Sequence, residues 1–109
     1  MRRFGQVIGV DPERIEEYKR YHAAIWPEIA DAIHEAGIQN YSIFWKDSTL
    51  FAYFEYVGPD DEYEARMARL AEAPRMREWW DIMEPMQRPI ATRSPGEWWA
   101  AMEQVFFQV

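Results

Sequence analysis

Cysteine is absent from the 109 residues. That excludes a disulfide framework, a thiolate zinc site and a cysteine nucleophile. Histidine is scarce: His22 and His34 are the only two. With no dense carboxylate loop to suit Mg²⁺ or Ca²⁺ either, no metal is expected. Positive charge is in deficit, 12 Lys and Arg against 19 Asp and Glu, for a net charge of −7. This balance repels a phosphate backbone or an anionic membrane surface, and no basic cluster offsets it, so no nucleic acid is expected as a partner. No run approaches the ~18 consecutive apolar residues of a membrane span. The motifs G-x-G-x-x-G, P-loop and H-E-x-x-H are missing, so the chemistry is expected to need no cofactor. Arg2 and Arg3 precede only a short run broken by Gln6 and Gly9. That reads as a strand rather than a signal peptide, and the expected setting is the cytoplasm.

Aromatic residues, by contrast, are abundant: six Trp, six Tyr and six Phe make up 17% of the chain. That exceeds what a small core needs and points to an aromatic-lined pocket, a subunit interface, or both. Apolar residues amount to 49%. Residues 1–109 read as a single domain, able to bury roughly 60–70% of its unfolded surface.

Arg3 to Val10 reads as a first strand. Asp11-Pro12 is expected to cap and open a helix. Ile15, Tyr18, His22, Ile25, Ile29, Ile33 and Ala36 then recur at helical intervals on one face. Pro27 predicts a kink or a restart in that helix, and Gly37 its C-terminal stop. Ile38–Trp45 and Thr49–Val57 read as strands joined by a Lys46-Asp47-Ser48 hairpin. Tyr63, Met67 and Leu70 mark a second helix. Pro74 restarts a third, with Met76, Trp79, Trp80 and Met83 on a stripe. An irregular loop follows to Gly96, and Trp98–Val109 is expected to be a last strand. The order gives an α+β class, a ferredoxin-like βαββαβ antiparallel sheet with helices on one face. Both faces of Thr49–Tyr56 carry apolar side chains, so the open face is predicted to be covered by a second subunit.

His22 lies on the apolar stripe one step of four from Tyr18. Position alone does not separate a core histidine satisfied by its neighbours from a general acid working near neutrality. Trp79-Trp80, about 100° apart on a helix, can pack in the core or form a stacking wall for a pyranose ring. Tyr41 shares a strand face with Ile43 and Trp45 and divides evenly between sheet packing and pocket. Trp98-Trp99 weighs less, because strand neighbours face opposite sides.

The runs Tyr18-x-x-x-His22, Ile25-Trp26-Pro27-Glu28, Gly37-Ile38-Gln39-Asn40-Tyr41-Ser42-Ile43, Trp79-Trp80 and Met102-Glu103-Gln104-Val105-Phe106 together resemble the L-rhamnose mutarotase family, in order and over nearly the whole chain. The resemblance implies a ferredoxin-like homodimer of the dimeric α/β-barrel type that interconverts the α and β anomers of L-rhamnose without a cofactor. It puts the proton donor on His22 and the substrate-binding residues on Tyr18, Tyr41, Trp79 and Trp80. The general base stays unassigned. Trp45 stands where the family would have a smaller aliphatic residue and is expected to narrow the pocket. Two other readings share the fold plan: a cofactor-free monooxygenase of the dimeric α/β-barrel type, and a non-catalytic sugar-binding or dimerisation module.

Overall fold

The computed structural model describes residues 1–109. In strand β3 (Thr49–Tyr56), Leu50, Ala52, Phe54 and Tyr56 are buried, while the residues between them keep solvent contact. This is the period-2 alternation of a strand with one face on a core. β3 pairs antiparallel with β1 (Arg2–Val10), in register from Arg2 opposite Tyr56 to Gly9 opposite Thr49. On its other side it pairs with β2 (Ile38–Lys46). The β2–β3 connection is Asp47-Ser48, with Asp47 at φ 55, a left-handed value that Asp tolerates in short hairpins. Ile8 and Val10 of β1, Leu50 of β3, Ile29, Met76 and Met86 belong to the main core cluster.

Four helices cover the inner face: α1 (Ile15–Ala23), α2 (Pro27–Glu35), α3 (Tyr63–Glu72) and α4 (Pro74–Met83). Of the kink or restart expected at Pro27, the structure has the restart: α1 ends at Ala23 and α2 begins at Pro27. Pro27 bars its predecessor from helical geometry, and Trp26 sits at φ −63, ψ 132. Ile25, expected on the apolar stripe, lies in the connection and is exposed. Asp11-Pro12 does not open α1 either. The Asp11 N–H donates to the Met86 carbonyl, which ties residue 11 to the sheet, and its carboxylate accepts from the Glu13 N–H at 3.0 Å. One turn later Arg14 caps α1 without a side-chain bond. Gly37 ends the segment at φ 92, as expected of a C-terminal glycine.

The far edge of β1 carries the largest departure. Instead of one long last strand at 98–109, two short pieces share that edge. β4 (Gln87–Arg88) pairs with Val10 and Gly9, and β5 (Ala100–Met102) pairs with Val7 to Gly5. In β5's register the next partners are Phe4, Arg3 and Arg2, where β1 begins. Residues 106–109 therefore have no strand to join. The sheet order is β2-β3-β1-β4, with β5 also on β1.

Candidate active site

His22 sits near the end of α1, half-buried, where two aromatic rings fix its plane. Tyr18 stacks on it at 4.3 Å between ring centres, and Trp79 meets it edge-on at 5.4 Å. The i,i+4 spacing on one helix brings Tyr18 and His22 together. Nδ1 lies 2.9 Å from the Tyr18 carbonyl oxygen. A carbonyl only accepts, so Nδ1 carries a proton and Nε2 is left as the variable position. Nε2 has no protein partner, and no buried side-chain nitrogen or oxygen lacks one. Nε2 is therefore reachable from outside. Burial lowers the His22 pKa, and the bond to the Tyr18 carbonyl partly opposes that effect. At neutral pH the ring is uncharged and Nε2 holds a lone pair.

Tyr18 is buried, but its hydroxyl is not idle. It accepts a hydrogen bond from Gln87 Nε2 at 3.1 Å, and Gln87 Oε1 accepts one from the Trp98 indole N–H at 2.8 Å. Burial pushes the Tyr18 pKa up, and the Gln87 bond pulls it down. Tyr41 arrives from the sheet. Asn40 and Tyr41 together oppose Phe54 in a β-bulge, with Asn40 at φ 51. The bulge turns the Tyr41 ring inward onto Phe54, at 5.3 Å. As a residue Tyr41 is 40% exposed, yet its hydroxyl is the desolvated end. Burial first, and the nearby Tyr18 hydroxyl second, push its pKa up to about 12. The sheet face shared with Ile43 and Trp45 is as the sequence suggests.

The two tryptophans divide. Trp79 is 5% exposed and belongs to the core, with Tyr21, His22 and Trp26 against its edges. Trp80 packs half-buried on the same cluster and so has surface to offer. Trp45 stands at the rim, its indole donating to the Asp47 carbonyl and Lys19 lying over its ring. This turns it toward the hairpin. Surface depressions of about 530 Å³ at Ala91–Trp98 and about 450 Å³ beside Glu17, Tyr21 and Trp26 flank the candidate site without including His22. Neither is lined by an imidazole, so the candidate site is placed by the open nitrogen of His22 and not by the size of these hollows.

Sequence reasoning missed Gln87 and Trp98. Gln87 lies between Pro85 and Pro89 in a stretch without periodicity, and nothing local marks it. Trp98 was discounted as a strand residue, but β5 begins only at Ala100. Chemically, an uncharged imidazole with an open nitrogen, held against the Tyr18 ring and the Trp79 indole, can move a proton within a small polyhydroxylated ligand. No group of three His, Asp or Glu side chains suited to a metal ion is present. No helix is long and apolar enough to cross a membrane.

A family model described as L-rhamnose mutarotase matches residues 3–108. An L-rhamnose mutarotase of Burkholderia cenocepacia is 40% identical over 95 residues, covering 87% of this chain and 86% of that protein. One of Listeria monocytogenes is 37% identical over 97 residues, covering 87% and 88%. Among solved structures, an L-rhamnose mutarotase of Formosa agariphila superposes with a TM-score of 0.77 at 24% identity, covering all of both chains. Tetracenomycin F2 cyclase of Streptomyces glaucescens superposes at 0.69 and 17% identity, covering 100% and 97%. The two superpositions bear on the fold, an antiparallel sheet with helices on one face; the sequence matches bear on descent. On that ground the chain belongs to the L-rhamnose mutarotase family.

Proposed function

We propose that this chain interconverts the α and β anomers of L-rhamnose, with His22 as its proton-transfer group and Tyr18, Tyr41, Trp79 and Trp80 forming the sugar site. Membership of an anomer-interconverting family supports the reaction. The observation that carries the residue assignment is the clamped imidazole: Nδ1 bound to the Tyr18 carbonyl, the ring held by Tyr18 and Trp79, and Nε2 open.

Ring opening removes the proton from the anomeric hydroxyl, breaks the bond from C1 to the ring oxygen, and puts a proton on that oxygen. Both oxygens are bonded to the same carbon. The uncharged Nε2 takes the hydroxyl proton and, as imidazolium, gives it to the ring oxygen. His22 is thus the donor in the bond-breaking step, and the proton count balances without a second base. The open aldehyde turns about C1–C2 and closes on its other face, with the transfers reversed. Tyr18 and Tyr41 supply hydroxyls for the sugar, Trp80 a partly exposed ring for its C–H face, and Trp79 the wall behind His22. A homodimer joined through the open sheet face belongs to the same proposal. So does a cytoplasmic setting, which suits a chain without cysteine.

The test is anomer exchange on equilibrated L-rhamnose, read by saturation-transfer NMR between the two anomeric proton signals. The wild-type protein speeds the exchange, and His22→Ala, with an unchanged circular dichroism spectrum, loses roughly 10²-fold or more of that gain. A fully active His22→Ala refutes the assignment of His22. A wild-type protein that accelerates no 6-deoxyhexose refutes the function.

A further inference from the structure

We propose that Gln87 is a positioning residue for the sugar: anchored by the Trp98 indole, its amide fixes the Tyr18 hydroxyl as a hydrogen-bond donor toward the ligand. The proposal rests on the mutarotase reading and adds to it two residues outside the aromatic set.

Gln87 is the one amide side chain among the buried residues. A buried amide is tolerated when its donors and acceptor are used. Here the direction of use is dictated. An indole N–H only donates, so Trp98 must face Oε1, and the opposite end presented to Tyr18 must be Nε2. An amide N–H only donates in turn, so the Tyr18 oxygen is the acceptor. Its own proton is then left for something else, and no protein acceptor takes it. The Tyr41 hydroxyl is its electrostatic neighbour. Tyr18 therefore enters the site with its O–H proton free to donate to a sugar oxygen.

The fold holds this chain of bonds in place. Gln87 opposes Val10 across a two-residue ladder, one position from Gly9, which opposes Arg88. A Cβ on Gly9 would lie 2.6 Å from the Arg88 carbonyl oxygen, so only glycine permits this approach. Trp98 ends the loop that follows β4 and is 40% exposed, although its N–H is used inward. The relay so ties that loop to the floor of the site.

Gln87 does not touch the reacting atoms. Its loss therefore weakens sugar binding in ground and transition states alike, raising KM and sparing kcat. Gln87→Leu, checked for native circular dichroism, raises KM for L-rhamnose roughly five- to tenfold, the scale of one misdirected neutral hydrogen bond. Trp98→Phe keeps an aromatic ring at a half-open position and raises it less. In a Tyr18→Phe background Gln87→Leu adds nothing further, whereas a merely structural role would add in full. Independently of activity, the Trp98 indole N–H signal, assigned by its disappearance in Trp98→Phe, is protected from exchange in the wild type and loses protection in Gln87→Leu. An unchanged KM in folded Gln87→Leu and in Trp98→Phe overturns the role of Gln87 while the mutarotase reading stands. So do full additivity with Tyr18→Phe, or an unprotected indole in the wild type. A wild type without anomer exchange overturns both.

Discussion

His22 illustrates how a side chain's chemistry is set by its neighbours more than by its type. The sequence offers two readings, core or catalyst, and the structure joins them: the ring is packed like a core residue and keeps one nitrogen open. Its lowered pKa, caused first by burial, has two consequences. The uncharged ring is the one poised to take a proton, so the exchange rate holds at neutral pH. It falls only as pH drops below the ordinary value of 6.5. Stability moves the same way. Between the folded and unfolded pKa the unfolded chain binds more protons, so unfolding free energy rises with pH there and is lost as pH falls below 6.5. Urea denaturation across that range should show the slope, and His22→Asn should remove its share. A rate profile flat to well below that range in the wild type contradicts the proton-transfer assignment. Gln87 was invisible from sequence for the opposite reason. A lone amide between two prolines has no periodic partner, and its meaning comes entirely from Tyr18 and Trp98, which are distant along the chain.

Among the elements, local signals fared best where sterics are local. Pro27 and Pro74 each start a helix, and each is preceded by a residue in extended geometry. The bulge at Asn40-Tyr41 had no such mark, yet it aims a site residue. β4 is the most consequential short piece, because it carries Gln87 against β1 through the bare backbone of Gly9. Gly9→Ala is expected to push β4 away. It costs about 1–3 kcal/mol of stability, as overpacking does, and raises KM in the same direction as Gln87→Leu. Thermal unfolding and exchange kinetics on the one variant check both halves. Wild-type values for both would show that the contact at Arg88 relaxes freely.

At the scale of the whole molecule, the sheet has one covered face and one bare one. Phe44 and Phe51 are cross-strand neighbours on the bare face, 62% and 42% exposed. Met102 lies opposite Gly5 nearby and is exposed too. A contiguous apolar surface of this kind is costly in water and is the ground for the proposed homodimer. Light scattering is expected to give about twice the chain mass. Phe51→Asp, which puts a charge at the centre of the patch, should give a monomer that keeps its circular dichroism spectrum. A wild-type monomer at micromolar concentration is the contrary result.

The amino-acid order by itself determined the strand-helix alternation, the helix breaks at proline, the bare aromatic sheet face and the pairing of Tyr18 with His22. Each of these is a matter of neighbours within a turn or an alternation, where covalent sterics and periodicity act directly. Tertiary structure alone decided which imidazole nitrogen stays open, that Trp79 is wall and Trp80 surface, and that the last strand is split. It also decided that Gln87 reaches Tyr18 at all. Those outcomes depend on distances between segments far apart along the chain, which packing sets and no local pattern encodes.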